Sequence, residues 1–212
     1  RPTLTYAATE PLILYFGTLS WQPNLQGLAY LLRTVFPLVR QRLPEVRLVI
    51  AGREAPPWLR RLARRTAGVE FLGPVEDAEP LYLRARLFVE ASRSGGGTRL
   101  KVLNALARGL PVVASPEGAE GLNLVTGEHL LVADDPQSMA EAVVRLMVDP
   151  ELWRSLSENG RALVRRRYLA EDVWLLKQRK QHRRDPGKAA QDALDWGLPV
   201  LESRLSVIHG GR

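Results

Sequence analysis

Short apolar runs rich in branched residues alternate with stretches of helical periodicity along most of the chain. Such runs are typical of buried strands, whereas apolar residues at every third or fourth position are typical of amphipathic helices. Strands are predicted at residues 12–16, 46–51, 69–72, 87–89, 110–114 and 130–133. Helices are predicted at residues 24–43, 79–85 and 136–148, with further helices beginning near residues 56, 98 and 150. The alternation predicts an α/β fold, a Rossmann-like, doubly wound parallel sheet.

The apolar pattern assigns a buried face and an exposed face to each of the first two predicted helices. Asn24 is placed to cap the first helix, whose apolar stripe comprises Leu28, Leu31, Leu32, Val35, Leu38 and Val39. The helix that Pro56 and Pro57 open is expected to turn Trp58, Leu59 and Leu62 inward. Its outward face then carries a cluster of cations, read most simply as solvated, with a binding role as the alternative: Arg60, Arg61, Arg64 and Arg65.

Glycines follow the predicted strands at the edge where parallel sheets bind ligands. Gly17, Gly52 and Gly73 each end a strand, and Gly95–Gly97 lie between the fourth strand and a helix that begins near Thr98. A helix start offers free N–H groups and partial positive charge, so a loop without side chains there suits a phosphate. The alternative is a plain flexible loop, because consecutive glycines are also common in linkers.

The helix after the glycine loop has a polar face in register with that loop. On this face lie Gly97, Lys101, Asn104 and Arg108. The core stripe is expected to comprise Leu100, Leu103 and Ala107, with Val102 and Leu106 beside it. The cation and the amide are placed to meet a diphosphate and a sugar hydroxyl. The alternative is that these polar residues are simply the solvated face of an amphipathic helix.

Composition excludes several classes of function. The 212 residues contain no cysteine, which excludes disulfides, thiolate metal sites and cysteine nucleophiles. No stretch approaches the ~20 apolar residues of a membrane span. Most of the net charge of +7 falls within residues 177–188, so a nucleic-acid surface spread over the fold is not expected. That segment is interpreted as a solvated tail, with peripheral contact to an anionic membrane surface as the alternative.

Six motifs occur in an order that identifies a family. They are Tyr15–Asn24 (YFGTLSWQPN), Leu48–Gly52 (LVIAG), Val69–Gly73 (VEFLG), Arg93–Leu103 (RSGGGTRLKVL), Ala105–Val113 (ALARGLPVV) and Glu117–Leu122 (EGAEGL). With them the chain resembles the carboxyl-terminal half of group 1 (family 4) glycosyltransferases, roughly from Pro11 to Tyr168. The motif at Arg93–Leu103 is the most specific of the six.

The resemblance implies one half of a GT-B type fold, in which this half binds a nucleotide-diphosphate sugar and the other half binds the acceptor. The implied reaction transfers a sugar with retention at the anomeric carbon, requires no cofactor or metal, and serves polysaccharide biosynthesis in the cytoplasm or at the inner face of the membrane. Catalytic residues are not identified. The histidines, which lie outside the motifs, are interpreted as incidental: His129, His182 and His209.

By position in the motifs, the resemblance also implies the donor-binding residues. The backbone amides of Gly95–Thr98 would meet the diphosphate, and Gly17 and Thr18 would flank its sugar-bearing end. The loop Gly73–Val75 would hold the base. Asn104 occupies the position of the carboxylate that usually binds the ribose hydroxyls.

Departures from the family pattern favour an alternative, a degenerate module that no longer binds a donor productively. Many relatives carry Glu-x7-Glu where this chain has Gly96 and Asn104. An amide accepts through one oxygen, whereas a carboxylate accepts from two hydroxyls and strengthens both bonds by its charge.

Two further departures concern charge. Thr18 stands where many relatives place an arginine, and Arg99 or Lys101 would have to compensate for it. Glu90 and Ser92 fall at positions that are usually apolar, and a carboxylate there would repel a diphosphate.

The resemblance divides the chain into three segments. Residues 1–11 are interpreted as a truncated linker, residues 12–168 as the nucleotide-sugar-binding domain, and residues 169–212 as a carboxyl-terminal helix with a basic tail. An amino-terminal acceptor-binding domain is therefore expected to be missing, and the isolated chain is expected to show no turnover. Half of a nucleotide-sugar epimerase is a further alternative, although acid–base residues for it are not identified.

Overall fold

The computed structural model describes residues 4–94 and 100–167, and these form a parallel sheet with helices on both faces. The strands are β1 Leu12–Phe16, β2 Arg47–Ala51, β3 Val69–Gly73, β4 Leu87–Glu90, β5 Val112–Ala114 and β6 Leu131–Val132. The helices are α1 Gln22–Tyr30, α2 Phe36–Arg42, α3 Pro57–Arg65, α4 Glu79–Arg84, α5 Leu100–Ala107, α6 Pro116–Ala119, α7 Pro136–Val148 and α8 Pro150–Arg167. The predicted α/β fold and its strands are confirmed.

The strand order is β3-β2-β1-β4-β5-β6, and every neighbouring pair is parallel. The chain builds outward from β1 in one direction, then returns to place β4 on the other side of β1. The order of the strands therefore reverses between β1 and β4, where Leu14 pairs with Phe88. In doubly wound sheets the helices diverge at this point and leave a crevice beyond the carboxyl ends of the two strands.

Burial follows the position of each strand in the sheet. β4 and β5 are buried along their whole length, as expected of central strands covered on both faces. At the edge of the sheet, β3 alternates instead, with Glu70 and Leu72 exposed and Val69 and Phe71 half-buried. The core therefore lies around β1, β4 and β5, and it supports the carboxyl ends of these strands.

Three details of the predicted helices are wrong. The first helix begins at Gln22 and is interrupted by a π-helical turn at Leu31–Val35, so Asn24 lies inside its first turn and does not cap it. Trp58 is 38% exposed, because Leu59 and Ala63, one turn apart, fill the buried face of α3. In α5 the buried stripe is rotated from the expected one and comprises Val102, Leu103, Ala105 and Leu106.

One compact unit comprises Pro2–Leu163, and it contains the sheet and the side chains discussed below. The glycine loop and Arg99 lie outside the described residues, as does the basic segment at 177–188, so what the sequence predicts for them stays a prediction. Among the helices described, none is long and apolar enough to cross a membrane.

Candidate functional site

The carboxyl ends of β1, β2 and β3 form one continuous edge, as predicted for ligand-binding loops. Gly17 donates its backbone N–H to Ala51 at 3.2 Å, and Gly52 donates to the carbonyl of Gly73 at 2.8 Å. Thr18 is exposed and Val75 is half-buried on this edge. The structure therefore places four loop residues of the implied donor site at the carboxyl ends of β1 and β3, the two strands that flank β2: Gly17, Thr18, Gly73 and Val75.

Lys101 projects from α5 to the point where the strand order reverses. Its ammonium nitrogen lies 2.5 Å from Oε2 of Glu90, at the end of β4, and 2.7 Å from Oδ1 of Asn24 on α1. The side chain is 24% exposed, so it is neither buried nor a freely solvated cation. The alternative interpretation, that Lys101 simply belongs to a solvated helix face, is therefore wrong.

Gly17 leaves room for that ammonium at the end of β1. A Cβ atom at residue 17 would lie 3.2 Å from Cδ and 3.9 Å from Nζ of Lys101. It would also lie 3.5 Å from the amide nitrogen of Asn24. The absence of a side chain at Gly17 therefore lets the cation approach the β1 end closely.

Asn24 joins the β1 loop to the cation. Its amide nitrogen donates to the carbonyl of Thr18 at 2.7 Å while its amide oxygen accepts from Lys101. The residue is buried, which makes these two bonds hard to replace by water. Asn24 therefore fixes both the loop and the lysine head group.

Glu90 is the buried anion of the site. Its Oε1 accepts from the backbone N–H of Ser92 at 3.1 Å and from the Ser92 hydroxyl. The carbonyl of Ser92 accepts in turn from the hydroxyl of Ser115 at 2.5 Å, which ties the end of β5 to the chain leaving β4. Burial raises the pKa of Tyr15 well above its usual value, and the nearby negative charge of Glu90 raises it further.

Arg108, the residue just after α5, forms another ion pair. Arg108 lies 2.8 Å from Glu79 and places its guanidinium 4.5 Å from the centre of the Tyr82 ring. Burial raises the pKa of Tyr82 to about 12, with Arg108 opposing that effect. Arg108 also donates to the backbone carbonyl of Asn104 at 2.9 Å. Asn104 itself is half-buried on the same face as Lys101.

Sequence reasoning missed the roles of Asn24 and Glu90, although each left a signal. Asn24 lies four and eight positions before Leu28 and Leu32, so it continues the apolar stripe as a polar residue. Glu90 ends the apolar run Leu87–Val89. A polar or charged residue in a buried pattern needs a partner, and both residues find the same one.

His129, which the sequence pattern marks as incidental, lies within the described part of the chain. His129 is buried, and its Nδ1 accepts from the backbone N–H of Val125 at 3.0 Å, so it fixes a turn. Within residues 4–94 and 100–167, no group of three or more histidine, aspartate or glutamate side chains is placed to hold a metal ion.

The chain is similar in sequence to known proteins. The chain is 33% identical over 163 residues to the phosphatidyl-myo-inositol mannosyltransferase of Mycobacterium tuberculosis, covering 73% of this chain and 42% of that protein. The chain spans less than half the length of the curated relatives it matches.

Two solved structures share the fold. The crystallised C-terminal domain of a group 1 family glycosyl transferase, LpcC of Francisella tularensis, is 20% identical with a TM-score of 0.59, over 74% of this chain and 85% of that one. Anabaena HepE, solved in complex with UDP and glucose, is 18% identical with a TM-score of 0.64, over 84% of this chain and 48% of that one.

A model of one protein family covers the whole sheet. The family described as glycosyl transferases group 1 matches residues 10–149, which include β1 to β6 and the edge that carries Gly17, Asn24, Glu90 and Lys101. The sequence motifs, the fold and this match agree, and the chain belongs to the group 1 glycosyl transferases.

Proposed function

We propose that this chain binds the nucleotide-sugar donor of a retaining glycosyltransferase across the carboxyl ends of β1 and β4. One observation carries the proposal: the Lys101 ammonium is held beside a residue without a side chain, Gly17, where the strand order reverses. A fixed cation at the switch point of a doubly wound sheet suits a ligand with a diphosphate group.

The geometry leaves the ammonium able to bind a ligand. An ammonium has three N–H donors, and in the described part of the chain two acceptors lie against it, Glu90 and Asn24. Among the described residues, at least one donor is therefore left without an acceptor, and the side chain is 24% exposed. When the bond between the sugar and the diphosphate breaks, negative charge grows on the departing diphosphate. A cation already in place stabilises that charge without reorganising.

The comparisons support a donor and an acceptor class for the whole protein. A structural neighbour holds UDP and glucose, and a relative is named for transferring mannose to phosphatidyl-myo-inositol. We therefore propose a uridine or guanosine diphosphate sugar as the donor and a glycan or a lipid-linked sugar as the acceptor.

Calorimetric titration of the 212-residue chain with UDP and with GDP tests donor binding directly. The expected result is a Kd on the order of micromolar for one of the two, about −8 kcal/mol, and a much weaker affinity for the other. Sugar transfer is then measured with the corresponding nucleotide sugars and added acceptors. The expected result for the chain without any partner is no turnover, because an active site open to water does not favour transfer over hydrolysis.

A second candidate is a group 1 module that has lost donor binding. The observation in its favour is Asn104, which offers one amide oxygen where the family pattern has a carboxylate. Heat of binding absent for both nucleotides at millimolar concentration would select this candidate over the donor-binding proposal.

A further inference from the structure

A buried carboxylate lies beside the proposed diphosphate site. Glu90 is 2% exposed at the end of β4, the strand next to β1. Burying an anion is costly unless it is paired, and an anion near a diphosphate opposes ligand binding. Its presence here therefore requires either compensation or a second role.

The carboxylate is oriented by one oxygen and presents the other. Oε1 is held by the backbone N–H and the hydroxyl of Ser92, two residues farther along the chain. Oε2 faces Lys101 as an ion pair at 2.5 Å. The bonds to Ser92 therefore orient the Glu90 carboxylate so that its Oε2 faces Lys101 on α5.

Lys101 is consequently held from two sides, by Glu90 on β4 and by Asn24 on α1. A lysine head group on a flexible four-carbon stem samples many rotamers, so fixing it in advance lowers the entropy lost on ligand binding. The position so fixed is the one above Gly17, and the neighbouring Thr18 brings no charge.

We propose that Glu90 is a positioning residue for Lys101, and that the ammonium held in this position binds the second phosphate of a nucleoside diphosphate. The inference rests on the donor-binding function proposed above. The carboxylate lowers the net charge of the site but fixes the ammonium at the sugar-bearing end of the diphosphate. The pair therefore sets a preference for nucleoside diphosphates over monophosphates.

The test compares four nucleotides on three forms of the 212-residue chain. Kd values for UDP, GDP, UMP and GMP are measured by calorimetry for the unaltered chain, for Glu90→Gln and for a control, Glu10→Gln. Glu10 pairs with Arg84 and Arg47 just before β1, at the opposite edge of the sheet. Thermal unfolding of each form is recorded in parallel.

Glu90→Gln is expected to weaken binding of the diphosphate about tenfold, because the ammonium loses its charged anchor. Binding of the monophosphate is expected to stay within about twofold, and Glu10→Gln is expected to change neither. If Glu90→Gln does not fold, Asn24→Ala, which releases the ammonium from its other anchor, takes its place with the same diphosphate-specific loss expected.

Three results would overturn the inference. Unchanged or tighter UDP or GDP binding by Glu90→Gln would show that the carboxylate only opposes the ligand. Equal losses for diphosphate and monophosphate would show a structural role without selectivity. If the unaltered chain binds neither UDP nor GDP, the donor-binding function itself fails, which the first titration distinguishes from the other two.

Discussion

The backbone of Gly17 lies so close to Gly52 that there is no room for a side chain at residue 52. A Cβ atom there would lie 1.8 Å from the carbonyl oxygen of Gly17 and 3.0 Å from Cγ of Leu19. The residue after β2 thus packs directly against the loop after β1. That loop is where the sugar-bearing end of the donor diphosphate is proposed to bind. The position of Gly17 depends on the absence of one atom in the neighbouring strand.

Gly52→Ala is expected to destabilise the fold by about 3 kcal/mol, the upper end of the usual cost of overpacking, because backbone cannot move aside as a side chain can. The displaced Gly17 loop is also expected to weaken nucleotide binding. The free energy of unfolding is measured in urea, and Kd by calorimetry. Gly127→Ala is the control, because its φ of +81° strains alanine while nothing lies within 4 Å of the added Cβ. Its expected cost is about 1 kcal/mol, without loss of binding.

Lys101→Met is expected to cost about 3–5 kcal/mol of stability, because Glu90 would then be a buried charge without its partner. The double variant Glu90→Gln, Lys101→Met is expected to regain part of that loss, since no buried charge is left unpaired. Urea unfolding of both single variants and the double variant measures the coupling. Arg154→Met removes a cation from an exposed pair with Glu151 and is expected to cost less than about 1 kcal/mol. Additive losses for Glu90 and Lys101 would contradict this prediction.

Glu10 gives the fold a pH dependence of known sign. Its hydrogen bond with Arg84 and the charges of Arg84 and Arg47 lower the pKa of this carboxyl below its ordinary value of 4.5. Folding therefore favours the ionised form, so the contribution is present above pH 4.5 and is lost as the pH falls through the lowered value.

Glu10→Gln is expected to lower the free energy of unfolding at neutral pH by less than about 1 kcal/mol, because the carboxylate is more than one-third exposed. The difference between the variant and the unaltered chain is expected to shrink as the pH falls through the lowered pKa of Glu10. Urea unfolding at neutral pH and across the acidic range checks the sign. A difference that grows on acidification would contradict it.

The sheet could be predicted because its signals are local. Runs such as Leu12–Phe16 and Leu87–Val89 are continuous and apolar, and their alternation with helices leaves few arrangements open. Helix faces were harder, as Trp58 shows: hydrophobicity placed it inward, but the short helix α3 fills its buried face with Leu59 and Ala63. The rotation of a helix about its own axis is decided by its packing against the sheet, which the periodicity of the sequence does not specify.

The site could be predicted only in part, because its central contacts join distant residues. Lys101 and Asn24 are 77 positions apart, and nothing local to either residue indicates the other. From the sequence, Asn24 is predicted to cap a helix and Glu90 is predicted to repel a diphosphate. Each prediction considers the residue without its partner. Only the strand order, which brings the ends of β1 and β4 together, shows that both bind one cation.

Asn104→Glu is expected to tighten binding of the preferred nucleoside diphosphate about tenfold, because a carboxylate accepts hydrogen bonds from two ribose hydroxyls and strengthens them by its charge. The position tolerates the change, since it is half-buried in α5 and glutamate is a good helix former. Arg108 already donates to the carbonyl of residue 104 and would offset part of the added charge.

Asn104→Gln matches the length of glutamate without its charge and is expected to bind no more tightly than the unaltered chain. The 2′,3′-dideoxy form of the same diphosphate completes the comparison, because it lacks the hydroxyls that the carboxylate would accept from. If Asn104→Glu strengthens binding of the ribose and dideoxy nucleotides equally, residue 104 does not bind the sugar ring. The gain confined to the ribose form would assign α5 two tasks one turn apart, with Lys101 on the diphosphate and residue 104 on the ribose.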